Sequence, residues 1–218
     1  LKENIDKTKF FLRQAVHRQM ISDVPVGAFL SGGLDSSSIV NFAREINPNI
    51  KCFTIDSSKY KEKDGIPEDL EYAKKVSQHL NVPLEVVEID HCKFAQNFEK
   101  MIYQLDEPLA DPAPLNVLWI SEIASQLGIK VLLSGSGGDD LFTGYRRHFA
   151  SNLENYWDWL PINIRTKLEL FAGDLPVSYP FLRRFRKAFS AATLSKDERL
   201  LNYFRWIKRS DLESLFTI

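Results

Sequence analysis

The stretch that decides the fold is Val26-Gly27-Ala28-Phe29-Leu30-Ser31-Gly32-Gly33-Leu34-Asp35-Ser36-Ser37. Its first five residues are apolar and predict a buried strand, and residues 38–43 continue as the first turns of a helix. A glycine-rich turn between a strand and a helix gathers main-chain N–H groups at the positive end of the helix dipole. The stretch therefore predicts an α/β unit with an anion site in its turn.

The residue types of this turn indicate that the anion is a phosphate. Gly32 and Gly33 let the main chain turn sharply and approach a phosphate. Hydroxyl donors are added by Ser31, Ser36 and Ser37. The Asp35 carboxylate would repel a phosphate, unless a divalent cation lies between them and takes oxygens from both. The turn has neither the lysine of a Walker A loop nor the third glycine of a dinucleotide fingerprint.

Strand and helix patterns alternate along the first two thirds of the chain. Predicted strands cover residues 26–30, 51–55, 84–89 and 130–134, and predicted helices cover 5–20, 36–46, 68–80, 93–105 and 114–128. This alternation predicts a doubly wound, Rossmann-like parallel sheet that binds its ligand at the carboxyl ends of the strands. After Leu141 the pattern is helical, so we expect a nucleotide-binding domain at 1–150 and a helical extension at 151–218.

Charge and cysteine content exclude several classes of function. The net charge of -1 argues against a general nucleic-acid binder, and no apolar run is long enough for a membrane span. Residues 141–218 carry 13 basic and 8 acidic residues, and we interpret the basic stretch 183–187 as a solvated helix face. Cys52 and Cys92 have no metal or redox spacing, which predicts two half-buried thiols in a cytoplasmic protein.

A second glycine- and serine-rich turn follows the fourth predicted strand and reads Ser134-Gly135-Ser136-Gly137-Gly138-Asp139-Asp140-Leu141-Phe142-Thr143-Gly144-Tyr145. In a parallel sheet it reaches the same edge as the first turn, so Asp35 and Asp139 could hold one Mg²⁺. Leu30 and Ile55 stand at strand ends, where main-chain groups could meet an adenine edge. The acidic loop at 106–112 is either a polar wall of the site or an acidic surface loop.

These motifs resemble a known family. The first turn matches the S-G-G-x-D-S-S pyrophosphate loop of the ATP pyrophosphatase (PP-loop) superfamily, whose members cut ATP between the α and β phosphates. The run from Ser22 to Ser37, Phe53-Thr54-Ile55, Asp106-Glu107-Pro108 and the second turn resemble, in order and spacing, the synthetase domain of glutamine-hydrolysing asparagine synthetases. The resemblance covers residues 10–150 well and the remainder loosely.

The resemblance implies an ATP- and Mg²⁺-dependent ligase. A small carboxylate, aspartate first, would be activated as an acyl adenylate and attacked by ammonia, giving an amide, AMP and pyrophosphate. The implied ATP contacts are Leu30, Ile55, Ser134 and Gly135; the implied pyrophosphate contacts are Ser31, Gly32, Gly33, Ser36 and Ser37. The implied Mg²⁺ ligands are Asp35 and Asp139, which with Ser136 are the candidate catalytic residues.

Three departures from the family pattern affect these expectations. Ser136 stands where the family has an acid, and a serine is no base at neutral pH without an activating partner, so Asp140 or Glu107 could substitute. The chain begins at Leu1 without a glutaminase domain, so we expect it to use free ammonia or a separate glutaminase domain or subunit. The family's later lysine-bearing helix is absent before Ile218, which suggests a truncated tail; candidate replacement cations are Lys130, Arg146 and Arg147.

Two alternatives remain beside the ligase. The serine at 136 and the short tail favour a catalytically weak nucleotide-binding or assembly module. The acyl substrate is also open, because relatives with the same loops amidate sugars, close β-lactam rings or cyclise lasso peptides. A tRNA-modifying ligase or sulfurtransferase is disfavoured by the balanced charge and by the lack of a reactive cysteine pattern.

Overall fold

The computed structural model of the 218-residue chain describes residues 2–56, 69–88, 91–105, 109, 113–176, 178–205, 207 and 209–215. The predicted acidic loop lies outside this description except for Leu109. The chain divides into two compact units, Leu1–Gly138 and Asp139–Ile218. The domain boundary near residue 150 stays a prediction.

The first unit alternates helices and strands as the sequence pattern predicts. In chain order its elements are α1 (Lys2–Gln19), β1 (Val26–Phe29), α2 (Leu34–Ala43), β2 (Cys52–Asp56), α3 (Asp69–Leu80), β3 (Leu84–Glu88), α4 (His91–Gln104), α5 (Ala113–Gln126) and β4 (Val131–Leu133). The short helix α6 (Gly138–Leu141) begins at its last residue. Each predicted element is present, with bounds shifted by up to three residues.

The four strands form one parallel sheet in the order β3-β2-β1-β4. The chain winds from β1 outward to β2 and β3, then crosses back to place β4 on the other side of β1. The strand order therefore reverses between β1 and β4. In open α/β sheets this reversal opens a crevice beyond the carboxyl ends of the two strands, where ligands bind.

Alternating side chains of the strands divide the core between the two faces of the sheet. One face holds Ala28, Cys52 and Leu133 and is covered by α1, α2 and α3, through Val16, Val40, Ala43, Ala73 and Leu80. The other face holds Phe29, Phe53 and Leu132 and is covered by α4 and α5, through Met101, Leu115, Trp119, Ile120 and Ala124. Helices on both faces make the sheet doubly wound, which confirms the predicted fold class. Fully buried side chains such as Leu30 and Phe53 each contribute about 1.5–3 kcal/mol to folding.

The second unit is helical. It contains α7 (Arg146–Leu153), a 3-10 turn (Glu154–Tyr156), α8 (Ile162–Gly173), α9 (Pro180–Phe189), α10 (Lys196–Phe204) and α11 (Arg209–Leu215). Beyond Leu133 the described residues include no strand. The basic stretch lies in α9, where all four of its Arg and Lys side chains are exposed, as expected of a solvated helix face. Throughout the described ranges, every helix is too short or too polar to cross a membrane.

Candidate functional site

The turn between β1 and α2 is closed by its own serines. The main-chain N–H of Ser31 donates to Ser36 Oγ at 3.2 Å, and Ser36 Oγ donates to the carbonyl of Gly33 at 3.3 Å. The two hydroxyl oxygens of Ser31 and Ser36 lie 3.0 Å apart, and the N–H of Gly33 donates to Ser31 Oγ at 3.4 Å. Either of these two hydroxyls can be the donor to the other. Both hydroxyls therefore shape the loop.

The N-terminus of α2 carries the polar groups left for a ligand. Gly33 is the N-cap residue and has no side chain with which to cap the first N–H groups of the helix. The Ser37 hydroxyl is buried and has no hydrogen-bond partner among the residues that the structure describes. A buried polar atom without a partner is costly and calls for an explanation such as a missing ligand or water. An anion at this helix end would provide one.

Gly32 fixes the loop to α3. Its φ of 80° is in the left-handed region, and a Cβ there would lie 2.5 Å from the main-chain nitrogen of Ala73 and the carbonyl carbon of Tyr72. No other residue fits such a position without displacing helix backbone. The turn therefore rests directly on the main chain of a neighbouring helix.

The loop that follows β4 meets the first turn of α2. A Cβ at Gly135 would lie 2.7 Å from the main-chain nitrogen of Ser36, and a Cβ at Gly138 would lie 2.5 Å from the Asp35 Oδ2 atom. These two glycines allow the loops to touch and leave room for the Asp35 carboxylate. The structure thus brings together the predicted residues Ser36, Asp35 and Gly135 at the reversal of strand order.

The predicted adenine-side residues lie at the same edge. The register pairs Phe29 with Phe53, so Leu30 and Ile55 stand near the carboxyl ends of the adjacent strands β1 and β2. The N–H of Leu30 already donates to the Phe53 carbonyl at 2.8 Å. Leu30 is fully buried, its main chain included.

Ser136, at the position of the family's acid, is joined to Ser134. Their hydroxyl oxygens lie 2.7 Å apart, and the N–H of Ser136 donates to Ser134 Oγ at 3.1 Å. The partner of the Ser136 side chain is thus another hydroxyl, which is no base at neutral pH. This arrangement supplies no general base at position 136.

Asp139 begins the second unit in a tight turn. The N–H of Gly144 donates to the Asp139 carbonyl at 2.9 Å, and Thr143 has a φ of 56°. A Cβ at Gly144 would overlap the Asp139 carboxylate, so this glycine leaves the space that the side chain fills. The pairing of Asp139 with Asp35 stays a prediction.

The Asp35 carboxylate fits a magnesium ion that takes most of its ligands from a substrate. The described residues hold no group of three or more His, Cys, Asp or Glu side chains that could cage a metal. Mg²⁺ commonly uses one or two carboxylates together with phosphate oxygens and water. In the first unit, the space that Gly138 leaves beside the Asp35 carboxylate suits one such ligand. In the second unit, the Asp139 carboxylate packs against Gly144.

The three candidate cations have different surroundings in the structure. Lys130 precedes β4 and so lies at the amino end of the strand, opposite the edge that carries the two loops. Arg146 is exposed. Arg147 is held between two aromatic rings, with its guanidinium centre 3.8 Å from the Tyr145 centroid and 4.4 Å from the Phe204 centroid. That clamp has no signal in the sequence, because Phe204 is far along the chain.

A buried ion-pair cluster in the second unit was also not predicted. Arg199 Nε donates to Glu154 Oε2 at 2.8 Å, both side chains are almost fully buried, and the same guanidinium bonds to Asp158. Burial alone would lower the pKa of Arg199, but the hydrogen bonds to both carboxylates hold it above its ordinary value. Burial raises the pKa of Tyr203, and the neighbouring Glu154 carboxylate raises it further. The cluster joins α10 to residues 154–158.

Comparisons with known proteins agree with these motifs. The family model described as asparagine synthase matches residues 8–214. Asparagine synthetase [glutamine-hydrolyzing] 1 of Bacillus subtilis is 37% identical over 162 residues, which is 74% of this chain and 25% of that protein. Putative asparagine synthetase [glutamine-hydrolyzing] 2 of Methanocaldococcus jannaschii is 38% identical over 205 residues, 90% of this chain and 38% of that protein. The chain thus spans about a quarter to two fifths of these curated relatives.

Among solved structures, the NH3-dependent NAD synthetase of Campylobacter jejuni matches 89% of this chain and 96% of that one. The TM-score is 0.40 and the sequence identity 14%. At this level the likeness adds nothing to the parallel sheet described above.

Proposed function

Because this chain belongs to the asparagine synthase family, we propose that it is the ATP-dependent amide-forming part of a ligase. It would adenylate a small carboxylate, aspartate first, and pass the acyl group to ammonia with release of AMP and pyrophosphate. The observation that carries the proposal is the meeting of two loops, in which Gly135 and Gly138 lie against Ser36 and Asp35.

The first loop would bind the pyrophosphate. Ser31 and Ser36 hold its shape, so the donors left for phosphate oxygens are the N–H groups at the start of α2 and the unpartnered Ser37 hydroxyl. Donors fixed before the reaction stabilise charge that develops on the leaving pyrophosphate without reorganising. Gly32 and Gly33 would let the phosphates approach the main chain.

The two carboxylates of the proposal, Asp35 and Asp139, would hold Mg²⁺. The ion, when bound, would neutralise charge on the departing pyrophosphate. The main-chain groups of Leu30 and Ile55 would meet the adenine edge, and Ser134 and Gly135 would also contact ATP.

The acyl substrate and the source of nitrogen belong to the same proposal. The relatives' names specify glutamine hydrolysis, so a glutaminase domain or subunit is the proposed ammonia source, with free ammonia as its substitute. We place the reaction in the cytoplasm, with neither nucleic acid nor membrane as a partner.

A catalytically weak nucleotide-binding module is the second candidate. The bond between Ser136 and Ser134 favours it, because position 136 then offers no base to the incoming nitrogen. Asp140 or Glu107 would have to serve that role for the ligase to complete amide synthesis.

Isotope exchange between pyrophosphate and ATP tests the first step without requiring a nitrogen source. With Mg²⁺ and aspartate, the chain is expected to catalyse exchange, and Asp35→Asn is expected to abolish most of it. Asp23→Asn, an exposed aspartate before β1 at the opposite edge of the sheet, is the matched control and should keep wild-type exchange. ATP binding with no exchange for any carboxylate offered would establish the nucleotide-binding module instead.

A further inference from the structure

We propose that Arg147 is a positioning residue that fixes the turn carrying Asp139, and thereby the cation ligand of the proposed reaction. This inference rests on the proposed function. It concerns the second unit alone. In it, Arg147 holds the cation ligand Asp139 in place and does not itself contact the pyrophosphate.

The Arg147 guanidinium is clamped from both sides. Its centre lies 3.8 Å from the ring centroid of Tyr145, the N-cap residue of α7, and 4.4 Å from that of Phe204 in α10. A planar guanidinium stacks on aromatic faces while its N–H groups remain at the edges of the plane. The clamp therefore fixes the direction in which the Arg147 donors point.

One of these donors reaches the residue beside Asp139. Arg147 Nη2 lies 3.4 Å from Asp140 Oδ1. Asp139 itself begins the turn that Gly144 closes with its N–H bond to the Asp139 carbonyl. The turn is thus held at its far end by Gly144 and at its start, through Asp140, by Arg147.

The arginine adds little to stability in this place. The Asp140 side chain is 60% exposed, and ion pairs of that kind contribute about 0–1 kcal/mol. Within the described residues, the buried Nε of Arg147 has no hydrogen-bond partner, which is a cost. An apolar side chain would fill the space between two rings without that cost. What only the arginine provides is a fixed, charged donor for the Asp139–Gly144 turn.

Two variants test the inference in the full chain. Arg147→Met keeps an apolar side chain of similar length between the rings but removes the donor. Arg184→Met, at an exposed position of α9 that has no part in the proposed site, is the matched control. The first readout is hydrogen exchange of the Gly144 amide. The second is the affinity of the chain for Mn²⁺ with α,β-methylene ATP, read by paramagnetic resonance of free Mn²⁺, which needs no turnover.

Arg147→Met is expected to speed exchange at Gly144 and to weaken the affinity for the metal–nucleotide complex by up to about fivefold, in keeping with the small contribution of an exposed ion pair. Arg184→Met should change neither readout, and both variants should stay folded. Unchanged Gly144 exchange, or unchanged Mn²⁺ affinity, in Arg147→Met would overturn the inference, as would a wild-type chain that does not bind Mn²⁺ with the nucleotide.

The outcomes also separate this inference from the proposed function. If both readouts change as expected but the wild type shows no pyrophosphate exchange, Arg147 is a positioning residue of a nucleotide-binding module. If the wild type catalyses isotope exchange but Arg147→Met changes neither Gly144 hydrogen exchange nor Mn²⁺ affinity, the proposed ligase function stands and the role of Arg147 is refuted.

Discussion

Gly135 packs against the main chain of Ser36 so closely that a Cβ at residue 135 would lie 2.7 Å from the Ser36 nitrogen. This contact joins the loop after β4 to the first turn of α2, at the place where the strand order reverses. It leads to the first prediction. Gly135→Ala is expected to push the two loops apart and to destabilise the fold by about 1–3 kcal/mol, the usual effect of an extra methyl in a tight space.

Urea unfolding would measure the Gly135→Ala effect. The control is Gly33→Ala, because Gly33 has a φ of -69° and a Cβ there would meet only Ser31 Oγ, at 3.4 Å. Gly33→Ala should leave the free energy of unfolding within about 0.5 kcal/mol of wild type, the usual range for a substitution without strain. Equal stability of Gly135→Ala and wild type would contradict the tight contact.

Ser37→Ala should separate stability from binding. The Ser37 hydroxyl is buried and has no partner in the described part of the chain, so its removal should leave folding unchanged or stabilise it by up to about 1 kcal/mol. ATP affinity, measured by calorimetry, should fall if this hydroxyl binds the pyrophosphate. Ser38→Ala is the control, because Ser38 Oγ already donates to the Leu34 carbonyl at 2.7 Å. Identical ATP affinities in Ser37→Ala and Ser38→Ala would contradict the role of Ser37.

Arg199→Met should destabilise the helical unit. Its loss leaves the Glu154 carboxylate buried without its cation, which typically costs about 3–5 kcal/mol. Hydrogen exchange of α10 peptides would report the loss locally. Arg184→Met, at an exposed position of α9, is the control and should leave exchange in α10 unchanged. Normal protection of α10 in Arg199→Met would show that the cluster does not hold this helix.

The buried thiol of Cys52 predicts a loss of stability in alkaline solution. Burial raises the pKa of Cys52 from 9.0 to about 12, so the folded chain keeps a proton that the unfolded chain releases. Stability from this group is present below pH 9 and is lost between pH 9 and 12, with a slope approaching about 1.4 kcal/mol per pH unit.

Urea unfolding at several pH values would measure that slope. Cys52→Ala has no thiol to titrate and should show a shallower decline between pH 9 and 12, even if it is less stable at neutral pH. The raised pKa of Tyr203 acts in the same direction above pH 10 and is present in both proteins. If the free energy of unfolding declines equally steeply with pH in both proteins, the loss of stability at alkaline pH comes from groups other than Cys52.

The sequence predicted the layered fold because its signals are local. The apolar run at 26–30 and the glycine turn after it fix β1, the loop and the start of α2 without reference to distant residues. The alternation of Ala28 and Phe29 between the two faces follows from the pleat of a strand. The order of the strands is not local, since the same alternation of elements fits several orders, and only the structure gives β3-β2-β1-β4.

For the candidate site as well, the sequence predicted the local features but not the contacts between side chains. The residue types of both loops indicated an anion site, but the use of the Ser36 hydroxyl to close the loop depends on rotamers that no pattern reveals. The clamp around Arg147 and the pairing of Arg199 with Glu154 join residues more than 40 positions apart, so no spacing announces them. The role of the acidic loop with Asp106, Glu107 and Asp111 stays a prediction, because those residues lie outside the described ranges.

The serine-closed turn has a thermodynamic consequence. Ser31 and Ser36 bond to each other and to the loop backbone, so the entropy of ordering this segment is lost during folding. An anion arriving there meets donors already aligned and need not organise them, which favours tight binding with little change in backbone mobility. Removal of the Ser36 hydroxyl would therefore weaken a bound phosphate through disorder in the free state.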